Sequence, residues 1–184
     1  MSQSMLWKKQ ETRVASKAPR QPAGGTDNSP ADRPNNADRQ LDWEQLASQF
    51  SFLTPGCTFS TLQVTNQRDA IRTLLQAIAD AGAIQTADLD SLTETILRRE
   101  ELGSTGIGEG IALPHTKHHS VDRIVGAMGY IAKGIDFNSI DDQPVHLVIL
   151  LISPVNANRE HLLALETVAR QLYEGKWRHW QSPS

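Results

Sequence analysis

The amino-acid sequence predicts an α/β layered domain in which helices flank a central mixed β-sheet. Two helical patterns come first in the chain, apolar strand patterns follow, and a third helical pattern comes after them. This order differs from a strict alternation of strand and helix, and it favours a mixed sheet over a purely parallel one. The chain of 184 residues is long enough for one ordinary domain with a hydrophobic core.

Composition excludes several classes of protein. The formal net charge of -3 shows neither the basic surface of a nucleic-acid-binding protein nor an acidic tail. The single cysteine, Cys57, rules out an internal disulfide and any metal site made of several thiolates, and we expect it to be a small buried residue. No stretch approaches the roughly 20 apolar residues of a membrane helix. We therefore expect a soluble cytoplasmic protein without a cofactor, a nucleic-acid partner or a membrane-inserted segment.

Residues 1–40 are predicted to form a disordered arm. They are rich in Ser, Gln, Asn, Pro, Gly and Arg and contain almost no aliphatic side chains that could form a core. The basic start of this arm could contact an acidic partner, although such runs usually stay solvated. The folded domain is expected to span residues 41–184.

Two amphipathic helices precede the strands. The first is predicted to begin after Thr65, an N-cap residue, and to end at Gly82. Its apolar residues recur at helical spacing and are Ile71, Leu74, Leu75 and Ile78. The second begins near Thr86 and carries an apolar stripe that extends by the same spacing to Arg99. That stripe consists of Leu89, Leu92 and Ile96.

A glycine-rich segment from Gly103 to Gly110 follows the second helix. Its glycines interrupt regular structure and permit close approach of the backbone to another group. The segment leads into a short apolar strand over residues 111–113. Pro114 is then expected to stop strand pairing just before His115.

Two longer strands and a helix complete the domain. Strands are predicted over residues 123–131 and 145–152, and the second is almost continuously apolar, which is typical of a strand covered on both faces. The last helix opens with asparagines that favour a helix start. Its apolar stripe begins at His161 and continues through Leu165, Val168 and Leu172.

His115 is the best candidate for a chemical role. An imidazole with a pKa near 6.5 offers a nucleophilic nitrogen at neutral pH, which suits reversible phosphorylation. Phosphoryl transfer also needs positive charge and hydrogen-bond donors around the phosphoryl oxygens. Arg99 would supply a planar fork of donors, and His161 would lie near the positive end of a helix dipole. The glycine loop would add amides and hydroxyls, and its candidate phosphate ligands are Ser104, Thr105 and Gly106.

Each of these residues also has a structural interpretation. An isolated histidine after a proline is more often a structural or surface residue. An arginine in the last turn of a helix often interacts with the helix dipole. The glycine loop lacks the fixed register of the known phosphate-binding motifs. From the residue types alone, both interpretations stay open.

The segment REELGSTGIGEGIALPH resembles, nearly residue for residue, the signature of the fructose/mannitol-type (type 2) enzyme IIA domains of the bacterial phosphoenolpyruvate-dependent sugar phosphotransferase system. The resemblance is strongest over residues 53–172 and is closest to the nitrogen-regulatory enzyme IIA branch. It implies that His115 is the phosphorylated histidine, that Arg99 is the arginine of the family's Arg-Glu pair, and that His161 is the second active-site histidine.

The resemblance also implies a function and partners. It describes a phosphotransferase component that accepts a phosphoryl group from the phosphorylated histidine-containing carrier protein and hands it to an enzyme IIB domain, which this sequence does not contain. The alternative is a non-catalytic regulatory module that binds a target protein according to whether His115 is phosphorylated.

The sequence departs from the family pattern at three places. Thr116 follows His115 where the family commonly has glycine. The run HTKHH suggests a zinc site, but it contains no cysteine or carboxylate, so we expect no metal. Family members usually carry a further helix after the position of Leu172, so we expect either that Trp177 and Trp180 cover the exposed face instead or that the domain is less stable.

Overall fold

The computed structural model describes residues 43–173. The predicted arm over residues 1–40, and the prediction that Trp177 and Trp180 cover an exposed face, lie outside the described residues. A short helical segment covers residues 43–47. The helices that follow are α1 (Gln67–Asp80), α2 (Leu89–Glu101) and α3 (Asn158–Tyr173). The strands are β1 (Leu53–Phe59), β2 (Gly106–Gly108), β3 (Ile111–Ala112), β4 (His115–Lys117), β5 (Val125–Ile135) and β6 (Val145–Ser153).

The six strands form one sheet in the order β1-β5-β6-β3-β2, and β4 also pairs with β6. β5 and β6 are antiparallel, whereas β1 runs parallel to β5 and both β3 and β4 run parallel to β6. The predicted α/β fold with a mixed sheet is therefore confirmed.

Pro114 interrupts strand pairing only briefly, and the prediction that pairing stops there is wrong. β3 pairs Ile111 with Leu147, and β4 pairs His115 with Leu151 in the same register along β6. Pro114 lacks an N–H group, but its carbonyl accepts a hydrogen bond from the Leu151 N–H at 3.0 Å. The proline costs the ladder one donor, and pairing resumes at the next residue. His115 consequently lies on a strand and not in a loop.

Helices cover both faces of the sheet. Successive residues of β6 point to opposite faces, as the pleat of a strand requires. On the face of α1 and α2 the core includes Ile71, Leu74, Leu92, Ile96, Val148, Leu150 and Ile152. On the face of α3 and the segment 43–47 it includes Trp43, Leu46, Leu147, Ile149, Val168 and Leu172. The prediction that the strand over residues 145–152 is covered on both faces is thus confirmed.

The start of α1 differs by one residue from the prediction. The N-cap is Asn66, whose Oδ1 accepts a hydrogen bond from the Asp69 N–H at 2.9 Å, and not Thr65. The end is as predicted, because Gly82 follows the last turn with a φ of 72°, a left-handed conformation that favours glycine. Cys57 is buried, also as predicted.

Candidate functional site

His115, the first residue of β4, and His161, in the first turn of α3, face each other beside the carboxyl end of β6. Their ring centroids are 5.4 Å apart and the ring planes are inclined by 56°. The register pairs His115 with Leu151 and Lys117 with Ser153, and residues paired in this way point to the same face of a sheet. That face carries α3, whose first turn holds His161. The fold therefore assembles one site from β4, β6 and α3.

The His115 ring is held through Nδ1. This nitrogen lies 2.8 Å from the carbonyl oxygen of Leu113. A carbonyl oxygen can only accept a hydrogen bond, so Nδ1 must carry the proton and donate it. In the neutral ring the lone pair is then on Nε2, which has no hydrogen-bond partner among residues 43–173. The local backbone has left one nucleophilic nitrogen free.

The surroundings of His115 favour its neutral form. Burial of the ring lowers the pKa of His115, and the positive charge of Arg99 lowers it further. The hydrogen bond to Leu113 and the carboxylate of Glu100 act in the opposite direction without reversing the shift. At neutral pH the ring consequently has an available lone pair.

His161 is almost fully buried, with 6% of its surface exposed. Its Nδ1 lies 2.6 Å from the hydroxyl oxygen of Ser153, the last residue of β6. Burial, together with the neighbouring His115 and the positive charge of Lys117, lowers the pKa of His161 to about 4. His161 is therefore a neutral ring at physiological pH, and its Nε2 has no hydrogen-bond partner among residues 43–173.

Two cations flank the histidine pair. Lys117 follows His115 by two residues on β4, and its ammonium donates to the side-chain oxygen of Asn158, the first residue of α3. Arg99, in the last turn of α2, is half-buried and donates through Nη1 to the Gly103 carbonyl at 2.8 Å. A guanidinium has five N–H donors, so this bond fixes its position and leaves the other donors for a ligand.

The neighbouring loop is held by Glu100, which is buried at the end of α2. Its Oε1 accepts from the Thr105 hydroxyl at 2.5 Å, and its Oε2 accepts from the Thr105 N–H at 2.8 Å. The Ser104 hydroxyl donates to the Phe137 carbonyl at 2.7 Å and accepts from the Gly106 N–H at 2.9 Å. These donors are bonded within the chain.

Known proteins resemble this chain in sequence and in fold. A family model described as "Phosphoenolpyruvate-dependent sugar phosphotransferase system, EIIA 2" matches residues 51–178. The chain belongs to this enzyme IIA family. A nitrogen regulatory protein of Bradyrhizobium diazoefficiens is 36% identical over 120 residues, which cover 65% of this chain and 76% of that protein.

Solved structures show the same fold for this enzyme IIA domain. The nitrogen regulatory protein IIA-Ntr from Neisseria meningitidis matches with a TM-score of 0.62 at 28% identity, over 69% of this chain and 85% of that one. A complex of enzyme IIAMTL and phosphorylated enzyme IIBMTL from Escherichia coli matches with a TM-score of 0.55 at 21% identity, over 66% of this chain and 83% of that one. As a member of the family, the chain is a phosphoryl carrier domain of the phosphotransferase system.

In the enzyme IIA domain, some of the residues singled out in the sequence lie close together, whereas the loop residues bond to other parts of the chain. His115 and His161 are in ring contact, and the charge of Arg99 is close enough to lower the pKa of His115. Direct binding of phosphate by Ser104, Thr105 and Gly106 stays a prediction, because their donors already hold the loop to Glu100 and Phe137.

Three residues of the site were missed in the sequence, namely Lys117, Glu100 and Ser153, and the last two each had a signal. Glu100 follows Ile96 by four residues and so lies on the buried stripe of α2, where a carboxylate needs partners. Ser153 ends a strand whose other residues, apart from His146, are all buried. A polar side chain at such a position is a candidate for a buried hydrogen bond.

The run HTKHH continues beyond β4 with His118 and His119, which lie within the described residues. The His118 and His119 rings lie 4.2 Å apart, and Nδ1 of His118 is 2.7 Å from the Ser120 hydroxyl oxygen. Within residues 43–173, no group of three or more His, Cys, Asp or Glu side chains could hold a metal ion. No helix in this part of the chain is long and apolar enough to cross a membrane. Thr116 pairs with Ile152 and points to the face opposite His115.

Proposed function

We propose that this enzyme IIA domain carries its phosphoryl group on Nε2 of His115. The observation behind the proposal is the hydrogen bond between Nδ1 of His115 and the Leu113 carbonyl. It keeps the proton on Nδ1 and leaves the lone pair on Nε2, in a ring that burial holds neutral. A neutral imidazole can attack phosphorus without a separate base.

The transfer is an in-line exchange of one N–P bond for another. Nε2 of His115 attacks the phosphorus, and the bond from phosphorus to the donor nitrogen breaks as the new bond forms. The Nδ1 proton stays in its hydrogen bond to Leu113, and the donor imidazole keeps the electron pair of the broken bond. Arg99, His161 and Lys117 stabilise the phosphoryl oxygens as negative charge moves between the two rings.

The donor in this proposal is the phosphorylated histidine-containing carrier protein, since that carrier also holds its phosphoryl group on an imidazole. An enzyme IIB domain is the proposed acceptor. Its support is the fold shared with enzyme IIAMTL, which has been solved in complex with a phosphorylated enzyme IIB.

A labelling experiment tests the site. Incubation with labelled phosphoenolpyruvate, enzyme I and the histidine carrier should add one acid-labile phosphoryl group to the protein. The His115→Ala variant should take up none. His119→Ala is the matched control, because His119 is an exposed histidine four residues along the chain and should leave the labelling unchanged. Label retained by His115→Ala would contradict the proposal.

The second candidate function is a phosphorylation-dependent docking module. Its support is the similarity to nitrogen regulatory proteins, together with apolar side chains exposed around the first turn of α3: Val155, Leu162 and Leu163 are 60%, 65% and 49% exposed. A phosphoryl group adds nearly two negative charges beside this surface, which can change its affinity for a partner.

A binding comparison tests this second function. Affinity capture with the phosphorylated protein, the unphosphorylated protein and His115→Asp should return different sets of bound proteins if phosphorylation is the signal. Identical sets would leave the domain as a carrier alone.

A further inference from the structure

Ser153 has one hydrogen-bond partner for its hydroxyl group among the described residues, and that partner is Nδ1 of His161. Ser153 has none of its surface exposed, so water does not offer an alternative partner. A buried hydroxyl group carries a proton that needs an acceptor, and leaving it without one costs the desolvation of that group. The direction of this 2.6 Å bond can be deduced from these facts.

The hydrogen bond between Ser153 and His161 has two possible directions, and they differ in whether the serine proton has an acceptor. If Nδ1 of His161 carried the ring proton and donated it to Ser153, the serine proton would have no acceptor in its buried position. If Ser153 donates to Nδ1, both groups are satisfied and the neutral ring must carry its proton on Nε2. The second arrangement is therefore the stable one.

We propose that Ser153 is a positioning residue that holds His161 in the tautomer with its proton on Nε2. The inference rests on the proposed function of His115. His115 is held by a carbonyl in the tautomer with a free lone pair on Nε2, and His161 is held by a hydroxyl in the tautomer with a proton there. One ring thus attacks phosphorus while the other donates a hydrogen bond to a phosphoryl oxygen. With the opposite tautomer, His161 would direct a lone pair at that anion.

Ring tautomers can be read directly by nuclear magnetic resonance. Long-range nitrogen–proton spectra of the isotope-labelled full chain distinguish a ring nitrogen that carries a proton from one that carries a lone pair. In the unphosphorylated wild type we expect the proton of His161 on Nε2 and the proton of His115 on Nδ1. The spectrum of a His161→Gln variant assigns the signals. A proton on Nδ1 of His161 would overturn the proposal.

The Ser153→Ala variant tests the consequence for transfer. Its His161 should become a mixture of tautomers, the His115 signals should stay unchanged, and transfer from the phosphorylated carrier should slow roughly tenfold, as is typical when the partner that orients a metal-binding histidine is removed. Thr54→Val is the control, because Thr54 also has a buried hydroxyl but lies on β1. A Ser153→Ala protein with the wild-type tautomer or the wild-type rate would contradict the role of Ser153.

This outcome is separable from failure of the proposed function. If the wild type takes up no label on His115, the carrier function fails. The tautomer spectra are recorded without phosphate, so they still decide whether Ser153 orders the His161 ring.

Discussion

The histidine pair and the glycine-rich loop are neighbouring polar regions that use their hydrogen-bonding groups in opposite ways. In the loop, the Thr105 and Gly106 amides and the Ser104 hydroxyl are all bonded inside the chain. In the pair, each ring has one nitrogen bonded to the protein, and within the described part of the chain Nε2 has no partner and is left for a ligand. The polar groups of the loop maintain its shape, and those of the histidine pair are available for chemistry.

A buried carboxylate, Glu100, lies beside the proposed phosphate site. Glu100 would repel a phosphoryl group if it faced one, but its two oxygens are occupied by Thr105, and Oε2 also accepts from the Gln67 side chain at 3.4 Å. Arg99, its neighbour in sequence, is held by the Gly103 carbonyl. Of these two adjacent residues of α2, Glu100 orders the loop and Arg99 supplies positive charge.

The largest expected effect is on stability, in Glu100→Ala. Removing the carboxylate leaves two buried donors of Thr105 without an acceptor, so we expect a loss of about 3 kcal/mol in the free energy of unfolding. Urea denaturation followed by circular dichroism measures it. The matched control is Glu101→Ala, because Glu101 is exposed and should cost less than about 0.5 kcal/mol. Equal midpoints for the two variants would show that the carboxylate does not hold the loop.

The next effect is on transfer, in His161→Ala. Losing one preformed donor to a developing charge slows a reaction on the order of a hundredfold, or about 2.7 kcal/mol in the activation free energy. The rate is measured by following label from the phosphorylated carrier to His115, in protein shown to be folded by its circular dichroism spectrum. A variant that transfers within about twofold of wild type would exclude His161 from the site.

The sequence predicted the fold well because hydrophobic periodicity reports burial, and burial decides the layers of this domain. The apolar run over residues 145–152 indicated a strand covered on both faces, and the stripe from His161 indicated the buried face of α3. The stripe also brought His161 forward as a candidate, whereas His115 was singled out by the chemistry of its imidazole and by the family signature around it. Their ring contact, however, depends on the register of β4 along β6, which periodicity does not contain.

The sequence could not show how polar groups are paired. Ser104, Thr105 and Gly106 have the composition of an anion-binding loop, but whether their donors are free depends on a partner that lies elsewhere in the fold. For Ser104 that partner is Phe137, 33 residues away. Pro114 was misjudged for a similar reason, since its effect on pairing depends on whether its carbonyl still finds a donor.

The third effect is the pH dependence of stability. The pKa of His161 is lowered from 6.5 to about 4 in the folded state, so between these values the unfolded chain binds a proton that the folded chain does not. Stability is therefore complete above about pH 6.5 and falls as the pH drops towards 4. The full pKa shift corresponds to about 3 kcal/mol in the free energy of unfolding. We expect a loss of about 1 to 2 kcal/mol, because solvent beside the half-buried His115 screens the charge of the protonated His161 ring.

Chemical denaturation between about pH 7 and pH 4.5 measures this dependence. The His161→Gln variant serves as the reference, since its side chain does not titrate. Its stability should fall less over the same range, and parallel curves for the two proteins would show that His161 is not held neutral by the fold.

The smallest expected effect is that of Ser104→Ala, which distinguishes a purely structural loop from a loop that binds the phosphoryl group. Ser104→Ala removes a hydroxyl that joins the Phe137 carbonyl to the Gly106 amide, and we expect a loss of about 1 kcal/mol in the free energy of unfolding. If the hydroxyl only holds the loop, the transfer rate changes less than about twofold. If Ser104 instead turns towards the phosphoryl group during transfer, as the sequence suggested, the rate falls on the order of tenfold in addition to that loss of stability. Measuring both quantities on one variant therefore shows whether the division between a structural loop and a reactive histidine pair persists during transfer.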